Sequence, residues 1–217
     1  MNDAAASHRS GKASAALPRI SPLRSSEWSA PLRLLLTLAP GGTARPMNIF
    51  TTLARHKSLF WPWLAFAGKL LAGKLSARHR ELVILRTAYR CGCDYERRHH
   101  RDIALEAGFR EEELDAIERD PKEYGWSESD RLVLDVVDEL HADNRISDAT
   151  WTRMRVQFSE TQLIELVMLV GHYHMVAFTL NALRVEVEPG EPNGHAQSPA
   201  FLRAVRRMVL KGKRRSA

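Results

Sequence analysis

The chain is poor in cysteine: across 217 residues there are two, Cys91 and Cys93. That excludes a disulfide framework and fits a reducing, cytoplasmic setting. Uninterrupted hydrophobic runs are also missing. The two most apolar stretches, residues 59–75 and 163–183, are broken by Pro62, Lys69 and Lys74 and by Glu165, His172, His174 and Asn181. A membrane span needs about 20 mostly apolar residues, so none is expected. Residues 1–16 lack the charged start and apolar core of a secretory signal. Alternating strand patterns are absent except at residues 184–188, and no short-period repeat is visible.

Acidic residues are missing from one segment in particular. Seven basic residues lie between Arg203 and Arg215 with no acid among them, against a formal charge of +6 for the whole chain. The middle of the chain is therefore mildly acidic, and the basic pI of 9.6 belongs to the ends. A general nucleic-acid-binding surface is excluded on that ground. The tail reads as a solubility or weak-contact element.

What is present is ordinary globular composition, 44% hydrophobic and 27% charged, at a length suited to one or two domains. Residues 1–19 read as a disordered leader, 20–190 as one domain, and 191–217 as a basic flexible tail. Within that tail, residues 201–210 have the pattern of a short amphipathic helix. The domain has helical periodicity throughout. Residues 28–39 place Leu32, Leu35, Leu36 and Ala39 on one face; residues 47–56 and 61–71 make two further apolar segments. Ser76, Ser127, Ser147 and Ser159 are expected N-caps, the last within a capping box, and Gly108 is placed for a left-handed C-terminal cap. The fold class this predicts is all-α, a helical bundle.

The chemistry is concentrated in residues 81–104, ELVILRTAYRCGCDYERRHHRDIA. At about 100° per residue, a helix beginning near Gly92 puts Glu96 near 300° and His100 near 340° relative to Cys93. A thiol, a carboxylate and an imidazole then share one stripe. A thiol in the first turn of a helix is favoured as thiolate by the dipole. Glu96 and His100 at i, i+4 can share a proton. Arg97, Arg98, His99 and Arg101 are expected to face solvent or a partner subunit. Glu81 is either an exposed acid at the start of its helix or part of the site. Cys91, Cys93, His99 and His100 lack zinc-module spacing, so no metal site and no cofactor are expected.

This pattern, Glu81-x11-Cys93-x2-Glu96-x3-His100 followed by Ala104 and Gly108, resembles the core motif of the carboxymuconolactone decarboxylase / alkylhydroperoxidase D (AhpD-like) superfamily. The stretches DELHAD at 138–143, RISD at 145–148, QLIELV at 162–167 and GHYHMVAFTLNA at 171–182 are similar to its long, two-part members. The resemblance covers roughly residues 28–190. It implies an AhpD-like helical bundle assembled as a homo-oligomer, a trimer or larger ring, acting on a small molecule. The hydroperoxidase branch uses a Cys-x-x-Cys pair, a downstream His and an upstream Glu, matched here by Cys93, His100 and Glu81. Its second cysteine is replaced by Glu96, so that disulfide cannot form and Cys91 stands as the candidate resolving thiol. The decarboxylase branch resembles the Glu96/His100 half and generally needs no cysteine. His174, in the YHM segment, is a candidate pocket residue by the same resemblance.

The leading expectation is a thiol-dependent, peroxiredoxin-like hydroperoxide reductase: Cys93 attacks, Glu81 and His100 relay protons, and Cys91 or an external thiol reductant resolves the sulfenic acid. The alternatives are a cofactor-free decarboxylase of a small carboxylated lactone using Glu96 and His100, and a non-catalytic oligomeric scaffold or redox sensor.

Overall fold

The computed structural model describes residues 17–39 and 42–189. Among the described residues it is all-helical, with no strand. The helices are α1 (Ala30–Leu38), α2 (Asn48–Leu53), α3 (Lys57–Leu71), α4 (Ala77–Arg90), α5 (Asp94–Glu106), α6 (Glu111–Ile117), α7 (Glu128–Asp143), α8 (Asp148–Gln157) and α9 (Glu160–Leu183). Short 3-10 turns at Ser25–Glu27 and Pro121–Glu123 precede α1 and α7.

Serine sets most of the helix starts. Ser29, Ser76, Ser127, Ser147 and Ser159 each accept a hydrogen bond from a backbone N–H in the first turn that follows, satisfying a donor with no partner inside the helix. At Ser159 the cap is reciprocal, because its own N–H donates to Gln162 Oε1 at 3.0 Å. Glycine sets the two stops that matter most. After α4, Gly92 takes φ +58°, Gly92 N–H donates to the Tyr89 carbonyl, and Cys93 N–H donates to the Ala88 carbonyl. After α5, Gly108 at φ +91° allows the same pair of bonds to Leu105 and Ala104. A residue with a Cβ is strained at such angles, so these turns are written in glycine. The first of them joins α4 to α5 through Cys91, Gly92 and Cys93 alone.

Helix α4 is the axis of the molecule. Residues 81 to 88 are buried one after another, so it has no solvent face over two turns. A helix covered on all sides must be wrapped by others, and α5, α7 and α9 pack along it. One core cluster joins Leu82, Ile84, Leu132, Val136, Met154, Leu166 and Leu169 from α4, α7, α8 and α9. A second gathers Leu35, Leu36, Phe50, Phe60, Leu64, Cys93, Val176 and Leu180, and so packs α1 to α3 against the start of α5 and the end of α9.

Polar groups also fix the bundle. Arg86, buried on α4, makes two hydrogen bonds to Asp138 on α7, at 2.8 and 2.6 Å, and donates to the carbonyls of Ile117 and Arg119. The guanidinium thereby ties α4, α6 and α7 and satisfies two carbonyls at the end of α6.

Several boundaries depart from the sequence expectation. Helix α3 begins at Lys57 rather than 61 and carries Pro62 in its interior. Residues 184–188 form no strand; they run back from α9 and bring Glu188 against α5. Arg19, read as part of a loose leader, donates from its backbone N–H to the Leu183 carbonyl and from its guanidinium to the Ala182 carbonyl, both at 2.9 Å. The amphipathic segment 201–210 lies outside the described residues. Helix α9, at 24 residues, is long and apolar enough to cross a membrane, but half of its apolar window is buried within the protein, as suits a core helix.

Replacing Arg86 with Ala is expected to lower unfolding free energy by about 3 kcal/mol, because it leaves the Ile117 and Arg119 carbonyls without their donor and removes one of the two cations on Asp138. Urea denaturation checks this; a loss below about 1 kcal/mol would mean the Arg86 network is not a structural tie.

Candidate active site

The site is assembled where α5 crosses α4 beneath α9. Glu81 projects from the first turns of α4 and is fully buried. Its carboxylate meets His100 Nδ1 at 2.8 Å, while Arg80 Nε lies 3.4 Å from its other oxygen. Glu81 accepts only, so Nδ1 carries a proton and Nε2 is left facing the opposite way. There it lies 3.3 Å from Glu96 Oε2, one turn earlier on α5, and 3.4 Å from the Tyr173 hydroxyl on α9. His100 and Tyr173 also meet edge to face, with ring centroids 5.3 Å apart.

These partners decide the charge of the imidazole. Burial alone would push the His100 pKa down, but the charge and hydrogen bond of Glu81, joined by Glu96, outweigh it and raise the pKa to about 9. His100 is therefore an imidazolium at neutral pH, held between two carboxylates. Tyr173 is moved well upward by burial and by Glu96 and Glu81, so it remains a neutral phenol.

Next to this arrangement is a cavity of about 90 Å³. Glu96, His100, Tyr173 and His172 supply its polar wall, and Trp63, Leu64, Ile49, Phe50, Ile103 and Val176 most of its apolar one. His172 stacks on Trp63 at 6.3 Å, with its pKa lowered by burial to about 4 despite the opposing pull of Glu96. It is a neutral imidazole, and its buried Nδ1 has no protein partner. A small, mostly apolar molecule in this space would meet one charged proton donor, one carboxylate, one neutral imidazole and a phenol.

The structure separates the residues that the sequence grouped. Glu96 and His100 line the cavity, and Glu81 stands behind His100, buried rather than exposed at its helix start. Cys93 does not line it. The residue is the N-cap of α5, fully buried among Ala88, Val176, Ala177 and Leu180. Burial pushes its thiol up to about 12, a carboxylate at Glu96 adds to this, and the amides of Glu96 and Tyr95 only partly offset it. The helix start that was expected to favour a thiolate is outweighed by the loss of solvent. Cys91, half-buried at the end of α4, sits instead with His141 and His174, with one ligand atom from each residue within 4.8 Å of the others. His174 thus stands on a different flank of α9 from the cavity. Both cysteines are free thiols.

Sequence reasoning missed three cavity residues from α9 and α5. His99 was assigned to a solvated face but is buried, paired at 2.8 Å with Glu188, and lines the cavity. Glu188 also accepts from the Tyr95 hydroxyl at 2.8 Å, and burial acts against an otherwise lowered pKa set by His99, the Asn48 amide and Tyr95. On the helix His99 lies about 60° from Glu96 and about 100° from His100, just outside the stripe that those two share, so the period alone did not place it at the site. His172 and Tyr173 carried no spacing signal, because they belong to a different helix some 70 residues further along.

Residues 58–139 match the carboxymuconolactone decarboxylase family. No curated protein matches the chain. Among solved structures, an alkylhydroperoxidase AhpD core from Ralstonia eutropha JMP134, described as an uncharacterized peroxidase-related protein, superposes with a TM-score of 0.71 at 16% identity, covering 87% of this chain and 96% of that one. A putative antioxidant defence protein AhpD from Agrobacterium tumefaciens, itself of unknown function, gives 0.59 at 18% identity, over 64% and 96%. A cysteine-to-alanine variant of the debrominase Bmp8, in complex with 2,3,4-tribromopyrrole, gives 0.62 at 14% identity, over 88% and 96%. These likenesses establish a shared helical fold.

Alkylation of the native protein at pH 8 is expected to modify Cys91 well ahead of Cys93, with the two equalising on unfolding. Peptide mapping by mass spectrometry reads this directly. Prompt labelling of native Cys93 would show that its thiol is not sealed.

Proposed function

We propose that this chain, a member of the carboxymuconolactone decarboxylase / AhpD-like superfamily, is a cofactor-free acid–base enzyme acting on a small, mostly apolar carboxylated lactone or related conjugated acid. The observation that carries this reading is the division at the cavity wall: Glu96 and His100 line it, whereas the Cys93 thiol is buried behind it and pushed up to about 12.

The chemistry follows from the geometry. An apolar wall strips water from a substrate carboxylate and so favours its departure as carbon dioxide. When that carbon–carbon bond breaks, its electron pair passes into the conjugated carbonyl, and the carbon left behind must take a proton. His100 supplies it from Nε2, with Glu81 holding the ring and stabilising the charge through Nδ1. Glu96, beside Nε2, accepts and returns protons between turnovers. The neutral imidazole of His172 and the phenol of Tyr173 are available to orient the substrate oxygens.

A second reading is favoured by one specific feature. Cys93 caps α5, where the amides of Glu96 and Tyr95 lower its pKa, and it lies one turn from Glu96. A local opening at the Gly92 turn that admitted solvent would give a thiol-dependent hydroperoxide reductase, with an external thiol as reductant. The peroxidase-related Ralstonia eutropha protein and the putative antioxidant defence protein from Agrobacterium tumefaciens, both similar in fold, support the same reading.

Homo-oligomerisation is part of the proposal. Ile164, Met168, Met175 and Phe178 leave an exposed apolar line along α9, which a second copy would cover.

Purified protein should be assayed in parallel for decarboxylation of candidate lactones and for peroxide consumption with a dithiol. The His100→Ala variant is expected to lose about 10²- to 10⁴-fold in decarboxylation, and Cys93→Ser to stay within a few-fold of the parent. The rate should fall as pH rises through about 9, where His100 loses its proton. Peroxide turnover abolished by Cys93→Ser, with no lactone consumed, would establish the thiol reading instead.

A further inference from the structure

The flank of α9 opposite the cavity carries a second constellation that the reaction above does not use. Cys91 ends α4, His141 lies in the last turn of α7 and His174 in the middle of α9. One sulfur and two ring nitrogens from these residues lie within 4.8 Å of one another, and all three residues are partly exposed.

The hydrogen bonds around them fix the atoms concerned. His174 Nδ1 lies 2.9 Å from the Val170 carbonyl, which can only accept, so Nδ1 bears the proton and Nε2 keeps its lone pair. That lone pair points at His141 Nδ1, 3.0 Å away. A histidine whose far nitrogen is anchored to a backbone carbonyl is oriented as metal-bound imidazoles are. Cys91 is held too: its carbonyl accepts from Asn181 Nδ2 at 2.8 Å, tying the end of α4 to α9. The charged groups nearby are Arg90 and Asp138, paired at 2.9 Å, with Arg86 on the other side of the same carboxylate.

We propose that Cys91, His141 and His174 form a binding site for a divalent transition-metal ion of the zinc class. Three protein ligands of this kind suit a tetrahedral ion, and the partial exposure leaves its fourth position to water or a small ligand. Binding converts the Cys91 thiol to a thiolate and releases one proton to solvent. It also moves the His141 proton from Nδ1 to Nε2, with no further release. No short motif marks this site, because its ligands come from three separate helices. The proposal departs from the expectation, drawn from sequence spacing, that no metal site is present. The site is independent of the acid–base reading, since no cavity residue takes part in it.

Cobalt(II) added to the metal-free, full-length protein tests the proposal. One equivalent should bind with the absorption of thiolate-to-cobalt charge transfer, be displaced by zinc, and release one proton per ion by calorimetry in buffers of differing ionisation enthalpy. Cys91→Ser should lose the charge-transfer band and the proton release. His141→Ala and His174→Ala should weaken binding by about 100-fold. Cys93→Ala should keep both signals. Circular dichroism of each metal-free variant confirms that it is folded. Absence of saturable binding, a band that survives Cys91→Ser or vanishes in Cys93→Ala, or histidine variants that bind as tightly as the parent would each overturn the assignment.

Discussion

An imidazole sealed between two carboxylates is the constraint on which the site depends. Neither Glu81 nor His100 has solvent to fall back on, so each is tolerable only in the presence of the other. This demands that α4 and α5 lie antiparallel and close, which in turn demands a reversal of three residues. The left-handed Gly92 makes that reversal, and the two cysteines occupy the positions on either side of it. Because the folded pKa of His100 is raised from 6.5 to about 9, its contribution to stability is complete below about 6.5 and is lost as pH rises through 9.

Much of the fold was legible in the sequence, and the reasons are local. Serine caps, a capping box and a glycine stop act within one turn of where they are written, so the starts of α4, α7, α8 and α9 and the end of α5 were readable. The start of α3 was not, because the apolar pattern begins at residue 61 whereas the helix extends back to Lys57, where the His56 side chain accepts from the Leu59 amide and caps it. The i, i+4 relation of Glu96 and His100 was readable for the same local reason, and their 3.3 Å approach realises it.

What the sequence could not show depends on contacts between distant segments. The role of Glu81 behind His100 came from resemblance rather than spacing. Periodicity placed Cys93 on the right stripe but could not reveal that it is sealed in a core cluster shared with Val176, Ala177 and Leu180 of α9. His99 was misassigned because its partner, Glu188, is brought back from beyond α9. Likewise, Cys91 and His174 were considered separately, while the structure brings them together with His141. Helix α9 thus serves three surroundings at once: His172 and Tyr173 face the cavity, His174 faces the Cys91 cluster, and an apolar line faces outward. Successive residues on a helix point about 100° apart, which is how one short segment, residues 172–174, can serve two different sites.

The account rests on His100 being held as an imidazolium by Glu81. Its ring can be followed by NMR across a pH titration of the native protein, in the parent and in Glu81→Gln. The prediction is a midpoint near 9 in the parent that falls when the Glu81 charge is removed. A midpoint at or below the ordinary histidine value of 6.5 in the parent, or one unmoved by Glu81→Gln, would contradict it.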